Sequence, residues 1–296
     1  MLRNAVRSLL PGPLGQRLAR LEKRWTKARA QLGRPVTEDQ FRQILHELLL
    51  LAAGDTVFVH SSVDCLRLDF PFMRILAILL ETVGPRGTLL FPTFPQGTSI
   101  DWLRRGDVFD VRRTPSSMGA LTELARRHSR ARRSLHPTKS VCAIGPLAEA
   151  LTCDHHRSPY PHGAGSPFYR LVEFGGKIIG MGVSTRNLSF VHCVDDVGVE
   201  FFPVMPYDGT VHEAVCIDER GQAVRVPTLA HDPRKMLHDV PRYMKRHVPA
   251  AICHDLRFRG MMFFRAQAKP LFDRMSELAR QGITIYPRQV NEDKAA

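Results

Sequence analysis

Short apolar runs separated by segments of helical periodicity make up the chain from residue 37 onwards. The runs DTVFVHSS and GTLLFPTF predict two buried strands, and the segment PFMRILAILLETVG between them predicts a helix. A strand, helix, strand order is typical of parallel strands joined by a crossover helix. This part of the chain is therefore predicted to have an α/β fold.

Two further helices are predicted from their capping residues. The segment PVTEDQFRQILHELLLLAAGD has Thr37 and Gln40 in capping-box positions, and Gly54 is its predicted end. The segment TPSSMGALTELARRHS is predicted to form a helix with Ser116 or Ser117 as its cap.

The rest of the chain continues the α/β pattern. In GSPFYRLVEFGG, Ser166 is a helix cap, Pro167 occupies the first helical position and Gly175 lies beyond the end. The other predicted elements are, in chain order, the strand SVCAIG, the strand KIIGMGV, a hairpin VHEAVCIDERGQAVRVP turned at ERGQ, the helix KPLFDRMSELARQG and the strand ITIYP. We expect one layered α/β/α domain over residues 37–296, with a central mixed, largely parallel sheet.

Charge is unevenly distributed along the chain. The formal net charge is +13, and residues 1–36 hold nine arginine and lysine residues against one glutamate. Apolar residues at helical spacing in this segment predict an amphipathic N-terminal helix with a basic face. The sequence does not decide the role of this helix. It could pack on the rest of the chain or on a partner, bind a membrane surface or nucleic acid, or direct the chain to an organelle. No specific nucleic-acid partner is predicted, and a homodimer is an open alternative to a monomer.

The cysteines and the hydropathy of the chain predict its cellular location. The six cysteines include no C-x-x-C pair, and most lie in apolar contexts, so we predict free buried thiols in a reducing environment. No apolar run approaches the roughly 18 residues that a membrane-spanning helix needs. A cytoplasmic location is the resulting expectation.

Several common chemical motifs are absent from the sequence. There is no P-loop, no dinucleotide-binding glycine pattern, no nucleophile elbow and no H-E-x-x-H. The adjacent His155 and His156 point in different directions, and no further spacing completes a metal site around them. We predict no metal.

Polar groups gather instead at predicted strand ends and loops, where open α/β sheets bind their ligands. These stretches are VHSS (59–62), FPTF (91–94), RRTPSSMG (112–119), RRSLHPTKS (132–140), HGAGSP (162–167) and SFVHCVDD (189–196). In this order, and with the elements around them, they resemble the aminoglycoside 3-N-acetyltransferase family, which differs in fold from the Gcn5-type acetyltransferases. The resemblance covers roughly residues 37–200, and the block RS-x-HP-x-x-S is its most distinctive part.

The resemblance implies transfer of an acetyl group from acetyl-coenzyme A to a primary amine. A histidine near its ordinary pKa of roughly 6.5 suits the general base, and a carboxylate on its other ring nitrogen fixes the tautomer. His192 with Asp195, or with Glu123 from the preceding helix, is the predicted catalytic pair, and His136 is the alternative base. The family commonly has glutamate where this chain has Asp195, so the acid is about one methylene shorter here.

Binding of the coenzyme calls for anion sites and for hydrogen bonds to its pantetheine arm. We expect the helix start at Ser116 and Ser117 to offer free N–H groups to phosphate. The predicted phosphate-binding side chains are Arg112, Arg113, Arg133 and Ser134. Ser61, Ser62 and Thr93, at strand ends, are predicted to bind the pantetheine amides or to line the amine pocket. The stretch VDCLRLDFPF after HSS lacks the glycines usual in the family, so the coenzyme channel is expected to differ in shape.

The acceptor is predicted from charge. Aminoglycosides are polycations, whereas the body of this chain is net positive, so an amino sugar or another small amine of low positive charge is favoured over a polycation. Two other functions are open. One is a coenzyme-binding or scaffold protein of the same fold without turnover, and the other is an acyl-transfer hydrolase with Ser61, Ser62 or Cys193 as nucleophile.

Overall fold

The computed structural model describes residues 34–286 together with Leu21. The basic helix predicted for residues 1–36 lies almost entirely outside the described residues, so it stays a prediction. Within the described part of the chain, no helix is long and apolar enough to cross a bilayer.

Strands and helices alternate through the described residues. The strands are β1 (Thr56–Ser61), β2 (Thr88–Pro92), β3 (Phe109–Asp110), β4 (Arg132–Arg133), β5 (Val141–Ile144), β6 (Lys177–Met181), β7 (Tyr207–Ile217), β8 (Ala223–His231), β9 (Cys253–Phe258) and β10 (Met261–Gln267). The α-helices are α1 (Glu38–Gln43), α2 (Arg74–Val83), α3 (Ser99–Arg105), α4 (Ala120–Arg126), α5 (Ala148–Thr152), α6 (Pro167–Glu173), α7 (His192–Val197), α8 (Val240–His247) and α9 (Ala268–Arg280).

The main sheet has seven strands in the order β4, β5, β2, β1, β6, β10, β9. Its centre is parallel, because β1 pairs in parallel with β2 on one side and with β6 on the other. The outer strands pair antiparallel to their neighbours. The predicted central mixed sheet is confirmed, and the helix predicted between the first two strands is α2.

Side chains on successive strand positions enter two separate cores. On β1, Val57 and Val59 pack with α1, α2 and α4 on one face, whereas Phe58 packs with α6, α7 and α9 on the other. This alternation is what a strand buried on both faces requires. The layered α/β/α architecture is therefore confirmed.

A second, three-stranded sheet lies beside the main one, in the order β3, β7, β8. The antiparallel hairpin predicted around ERGQ is confirmed as β7 and β8, with Ile217 opposite Ala223 next to the turn. A small core that includes Trp102 and Phe109 packs against this sheet.

The first helix ends earlier than predicted. The segment α1 continues as a π-helix over Ile44–Leu48, and the chain then turns at Leu50, whose φ is +56°. Gly54 does not end this helix, as predicted, but lies in the turn before β1, where its N–H donates to the carbonyl of Val83. Glycine is favoured at this position because the turn requires a φ of +90°, not because a helix ends there.

Three other expectations were wrong or incomplete. The described part of the segment ITIYP, residues 283–286, forms a bend rather than a strand, in which the N–H of Tyr286 donates to the hydroxyl of Thr284. The stretch SFVHCVDD is a 3₁₀ turn followed by α7, not a loop. The hairpin of β9 and β10 was not predicted; Arg259 and Gly260 both have positive φ in its two-residue turn, as a type I′ turn requires.

Candidate functional site

His192 and Asp195 lie on one face of the short helix α7, which follows β6 in the chain. Because residues three positions apart are neighbours on a helix, the two side chains meet, with His192 Nδ1 3.0 Å from Asp195 Oδ2. Both residues are buried. A carboxylate oxygen at Nδ1 favours the tautomer with the proton on Nδ1, which leaves Nε2 free to accept a proton.

Tyr286 completes this pair from the far end of the described chain. Its hydroxyl donates to Asp195 Oδ2 at 2.6 Å and lies 3.2 Å from His192 Nδ1. The sequence prediction missed Tyr286, because it assigned the surrounding ITIYP to a strand. His192, Asp195 and Tyr286 thus form one hydrogen-bonded group, the His192 triplet.

Three more histidines surround His192. The ring centroids of His162, His231 and His238 lie 5.5, 5.1 and 5.5 Å from that of His192. Burial holds the pKa values of His162 and His231 well below the usual range and lowers that of His238 to about 4. These imidazoles are therefore neutral at neutral pH. Among the described residues, both ring nitrogens of His162 and of His231, and Asp195 Oδ1, have no hydrogen-bond partner.

Asp196 faces the same group of histidines but is held by the protein. Its Oδ2 accepts from the backbone N–H of His162 at 2.7 Å, and its Oδ1 accepts from the Tyr207 hydroxyl. Burial raises the pKa of Asp196 to about 8. Asp196 thus ties α7 to the loop at His162 and to β7.

His136, the alternative base, is held in a structural arrangement. Its Nδ1 accepts from the backbone N–H groups of Thr138 and Lys139, at 3.3 and 3.0 Å, and its ring stacks on His155 with a centroid separation of 4.4 Å. Burial holds its pKa well below the usual range. With Nδ1 occupied by two donors, His136 lacks the carboxylate partner that His192 has.

Glu123, the other carboxylate predicted for His192, bonds to different residues. It accepts from Arg126 and Arg127 and from the backbone N–H of Ser116 at 2.9 Å. The Arg126 guanidinium holds the pKa of Glu123 down to about 2. These contacts assign Glu123 to the folding of the RRTPSSMG loop, and Asp195 is the carboxylate that the structure brings to His192.

The expected helix start at Ser116 and Ser117 is also different. The helix α4 begins at Ala120 with Gly119 at its N-cap, where φ is +112°. The Ser117 hydroxyl donates to the carbonyls of Phe94 and Pro95, and Ser116 Oγ accepts from the N–H of Met118. Both serines therefore lie in the loop ahead of the helix, where Ser117 bonds to a neighbouring loop and Ser116 Oγ also contacts the hydroxyl of Thr122 in α4.

Arg133 is buried, although it was predicted to bind phosphate. Its guanidinium donates to Thr93 Oγ1 and Ser140 Oγ and to the carbonyls of Val111, Thr114 and Thr93. Burial lowers its pKa to about 9. These bonds engage all three nitrogens of the guanidinium within the protein, which opposes the predicted phosphate contact of Arg133. Ser134 is similarly occupied, because its hydroxyl bonds to the N–H of Val141 and to His155.

A cavity of about 380 Å³ opens beside this buried arginine. Its lining includes five arginines: Arg112, Arg126, Arg127, Arg132 and Arg133. Glu219 also lines it and forms an ion pair with Arg132 at 2.6 Å. The positive lining suits an anionic group. Arg113, by contrast, extends into solvent with a side chain that is 90% exposed.

The predicted residues at strand ends have mixed surroundings. Ser61 and Ser62 are half-buried at the end of β1, and Ser62 Oγ donates to Cys65 Sγ at 3.4 Å. Thr93 is fully buried and bonded to Ser140. Cys193 is buried in the core, and burial raises its pKa well above the usual range, so its thiol lacks the properties of a nucleophile.

All six cysteines are free, and the described residues contain no cluster of three or more histidine, cysteine or acidic side chains placed to hold a metal ion. The candidate features are therefore the His192 triplet with the neutral histidines around it and, separately, the arginine-lined cavity.

The fold and the site define a layered α/β protein with a histidine and carboxylate pair beyond the end of a parallel strand. The family model of aminoglycoside 3-N-acetyltransferases matches residues 58–279. The chain belongs to the aminoglycoside 3-N-acetyltransferase family, as its sequence motifs predicted.

Related proteins agree with this assignment. Aminoglycoside N(3)-acetyltransferase IX of Micromonospora chalcea is 30% identical over 175 residues, which are 54% of this chain and 62% of that protein. Aminoglycoside N(3)-acetyltransferase VII of Streptomyces paromomycinus is 32% identical over 173 residues, or 53% of this chain and 59% of that protein. The chain thus spans about three fifths of the length of these curated relatives.

Solved structures show the same fold. The crystal structure of aminoglycoside acetyltransferase AAC(3)-Xa superposes with a TM-score of 0.70 at 23% identity, covering 90% of this chain and 99% of the other. The binary complex of AAC-IIIb with CoASH gives a TM-score of 0.68 at 22% identity, covering 84% and 97%.

Proposed function

We propose that this protein transfers an acetyl group from acetyl-coenzyme A to the primary amine of an amino sugar or an aminoglycoside-like small molecule. The observation that carries the proposal is the buried contact of 3.0 Å between His192 Nδ1 and Asp195 Oδ2 in a member of this family. In this proposal His192 is the general base, and Asp195 with Tyr286 positions its ring.

Binding of the coenzyme is supported by the arginine-lined cavity, whose positive lining fits phosphate groups. Of the predicted phosphate ligands, Arg112 is exposed and lines this cavity, so it is the side chain proposed to meet a phosphate. Ser61 and Ser62 are proposed to bind the pantetheine arm. When bound, acetyl-coenzyme A supplies a thioester whose carbonyl carbon forms a bond to the amine nitrogen as its bond to sulfur breaks. A relative of the same fold has been solved with CoASH.

His192 has the features that proton removal requires. The proton on Nδ1 is directed at Asp195, so the lone pair on Nε2 can accept the proton that the attacking amine loses. The carboxylate stabilises the imidazolium that forms. Since the hydroxyl of Tyr286 contacts both partners, rotation of either side chain would break a hydrogen bond.

The surroundings of the base favour a hydroxyl-rich acceptor. His162 and His231 present four ring nitrogens without hydrogen-bond partners among the described residues, and burial keeps both rings neutral. A neutral imidazole both donates and accepts one hydrogen bond, which matches the hydroxyl groups of a sugar. Related structures of the same fold carry sisomicin or a gentamicin, which are amines of this general kind.

The proposal is tested by replacing His192 with asparagine and measuring thiol release from acetyl-coenzyme A with glucosamine and with sisomicin as acceptors. We expect kcat/KM to fall roughly 10²- to 10⁴-fold, the range of general-base catalysis. His254→Asn, an exposed histidine on β9, is the matched control and should retain wild-type activity. Retention of activity within about threefold by His192→Asn, with the fold intact by circular dichroism, would exclude His192 as the base.

Two further measurements distinguish acetyl transfer from the two alternative functions. Calorimetric titration with coenzyme A that shows binding, without thiol release to any amine, would identify a coenzyme-binding protein without turnover. A covalent acetyl adduct in the intact mass would indicate a serine or cysteine nucleophile instead of direct transfer.

A further inference from the structure

Glu219 brings a carboxylate into the arginine-lined cavity from the second sheet. It lies in the turn between β7 and β8, and its Oε2 is 2.6 Å from Nη1 of Arg132 on β4 of the main sheet. Among the described residues that line the cavity, five are arginines and Glu219 is the only one with a carboxylate. The protein thus places one negative charge of its own in a cavity whose lining suits an anion.

The turn holds the backbone of Glu219 in place. Oδ1 of Asp218 accepts from the backbone N–H groups of Arg220 and Gln222, each at 2.8 Å, and the N–H of Asp218 donates to the carbonyl of Gln222 at 3.0 Å. Gly221 supplies a positive φ of +80°. The side chain of Glu219 is 43% exposed, so its carboxylate can leave Arg132 for water by rotation of the side chain, while the turn stays closed.

Two of the five arginines are available to a ligand. Among the described residues, no group forms a hydrogen bond or an ion pair with the side chain of Arg112. The guanidinium of Arg132 is held only by the exposed carboxylates of Glu219 and Glu149, at 2.6 and 3.5 Å. The other three arginines donate to groups of the protein that lie deeper in the fold. An anion in the cavity would therefore meet Arg112 and, once Glu219 has turned away, Arg132.

A carboxylate and a phosphate compete for the same donors. Both present oxygen acceptors that a guanidinium binds through charge-assisted hydrogen bonds. Glu219 carries one negative charge, whereas a phosphate monoester carries about −1.5 to −2 at neutral pH. Exchange of Glu219 for a phosphate is thus favourable, and exchange for a singly charged anion gains little.

We propose that Glu219 is an internal competitor at the phosphate site: in the free protein its carboxylate pairs with Arg132, and it gives up this arginine to a phosphate of the coenzyme. The inference rests on the proposed binding of the coenzyme in this cavity. A competitor of this kind makes the site selective for multiply charged phosphates and weakens the hold on the coenzyme, which eases its release. Free pyrophosphate has the same chemistry, and the probes below distinguish the two ligands.

The test is calorimetric titration of the full chain with coenzyme A, with inorganic pyrophosphate and with pantetheine, which has no phosphate. At an ionic strength of about 0.01 M, Glu219→Gln should lower the Kd of coenzyme A about tenfold, because the amide keeps the size of the side chain but no longer repels a phosphate. At about 1 M salt the gain should shrink to less than about threefold, since salt screens the charges. The Kd of pantetheine should be the same in both proteins.

The chain offers a matched control in Glu149. Its carboxylate pairs with the same Arg132, but it is 74% exposed and does not line the cavity. Glu149→Gln therefore removes the same charge from the same arginine and should change the Kd of coenzyme A by less than about threefold. Arg112→Gln should raise that Kd about tenfold, since it removes a cation that the phosphate meets directly.

The outcomes are distinct. The proposal is overturned if Glu219→Gln leaves the Kd of coenzyme A at low salt within about twofold of the wild-type value or raises it, or if Glu149→Gln has an equal effect. A gain for pyrophosphate without a gain for coenzyme A would assign the cavity to another phosphate ligand and also overturn it. Thiol release from acetyl-coenzyme A alongside any of these results would leave acetyl transfer standing. Tighter binding of coenzyme A by Glu219→Gln, with no thiol release to any amine, would support Glu219 as proposed and contradict acetyl transfer alone.

Discussion

The hydroxyl of Tyr286 donates a hydrogen bond of 2.6 Å to Oδ2 of Asp195, a residue that lies 91 positions earlier in the chain. Both side chains are buried, and the same carboxylate oxygen is 3.0 Å from His192 Nδ1. The segment after α9 therefore returns to the site and contacts the helix that carries the proposed base. In the proposed mechanism Tyr286 is a positioning residue, because it contacts the base and its carboxylate but not the reacting nitrogen Nε2.

Tyr286→Phe is expected to lower kcat about tenfold to a hundredfold while KM for the amine changes little, because a hydrogen bond to a charged group is worth roughly 1.5–3 kcal/mol. The ring remains, so packing is kept. Asp195 still selects the tautomer with the proton on Nδ1, but it is held less firmly, so the nitrogen-15 chemical shifts of His192 should move and report a weaker Nδ1–H hydrogen bond.

The chain offers a matched control for this variant. Tyr243 on α8 is also buried, but its hydroxyl has no hydrogen-bond partner among the described residues. Tyr243→Phe should leave kcat and the His192 shifts unchanged. If Tyr286→Phe behaved like Tyr243→Phe in both measurements, the positioning role of Tyr286 would be wrong.

Asp195→Asn is expected to cost more than Tyr286→Phe. The amide has the volume of the carboxylate, but its NH₂ group can donate to Nδ1 and so stabilise the wrong tautomer of His192, and it no longer balances an imidazolium. We expect kcat to fall roughly a hundredfold or more, measured by thiol release. A drop of less than about threefold would indicate that another group orients His192.

Arg133→Met is expected to reduce stability rather than to act on the coenzyme alone. The substitution removes the side-chain donor of the Thr114 carbonyl and one of the hydrogen bonds of the Thr93 carbonyl and of the Ser140 hydroxyl. Removing one partner from buried polar groups costs about 3 kcal/mol, which urea unfolding should show as a lower midpoint at an unchanged m value.

The neighbouring residue provides the comparison for Arg133. Arg132 has a side chain that is 50% exposed and forms ion pairs with Glu219 and Glu149 at the surface. Arg132→Met should cost less than about 1 kcal/mol, the usual value of an exposed ion pair. Equal effects of the two substitutions would contradict the buried structural role of Arg133.

These two arginines also show what the sequence can and cannot predict. The chain reads RR at positions 132 and 133, and alternation along a strand places one side chain in solvent and the other inside, but a two-residue strand gives no periodicity from which to choose. Helix α6 and the hairpin of β7 and β8 were predictable because their signals are local: a serine cap with proline after it, and a turn between apolar runs.

The His192 triplet also has one part that the sequence could predict and one that it could not. His192 and Asp195 are three residues apart, so their contact follows from a single helical turn and could be predicted from their spacing. The contact of Tyr286, and the approach of His231 to His192, depend on how distant segments pack, which no local pattern encodes. The β9 and β10 hairpin was missed because its turn is Arg-Gly rather than the usual Asn-Gly or Asp-Gly.

Burial of histidines predicts how stability depends on pH. His60 on β1 is buried with its ring 4.9 Å from that of Phe58, and burial lowers its pKa from 6.5 to about 3. Between these two values the unfolded chain binds a proton at this position that the folded chain does not. The contribution of His60 to the free energy of unfolding is therefore fully present above pH 6.5. It is lost as the pH falls towards 3, by about 1.4 kcal/mol per pH unit for each such group.

His60→Leu removes this group while keeping an apolar side chain in the core. Between about pH 7 and about pH 5 the variant should lose about 2 kcal/mol less of its free energy of unfolding than the wild type does, as measured by urea denaturation at each pH. The dependence of the free energy of unfolding on pH that remains in the variant comes from the other buried histidines. They include His155, whose pKa burial lowers to about 4. Parallel stability curves for variant and wild type would mean that His60 is protonated equally in the folded and unfolded chains, and that its burial is not what sets the acid sensitivity.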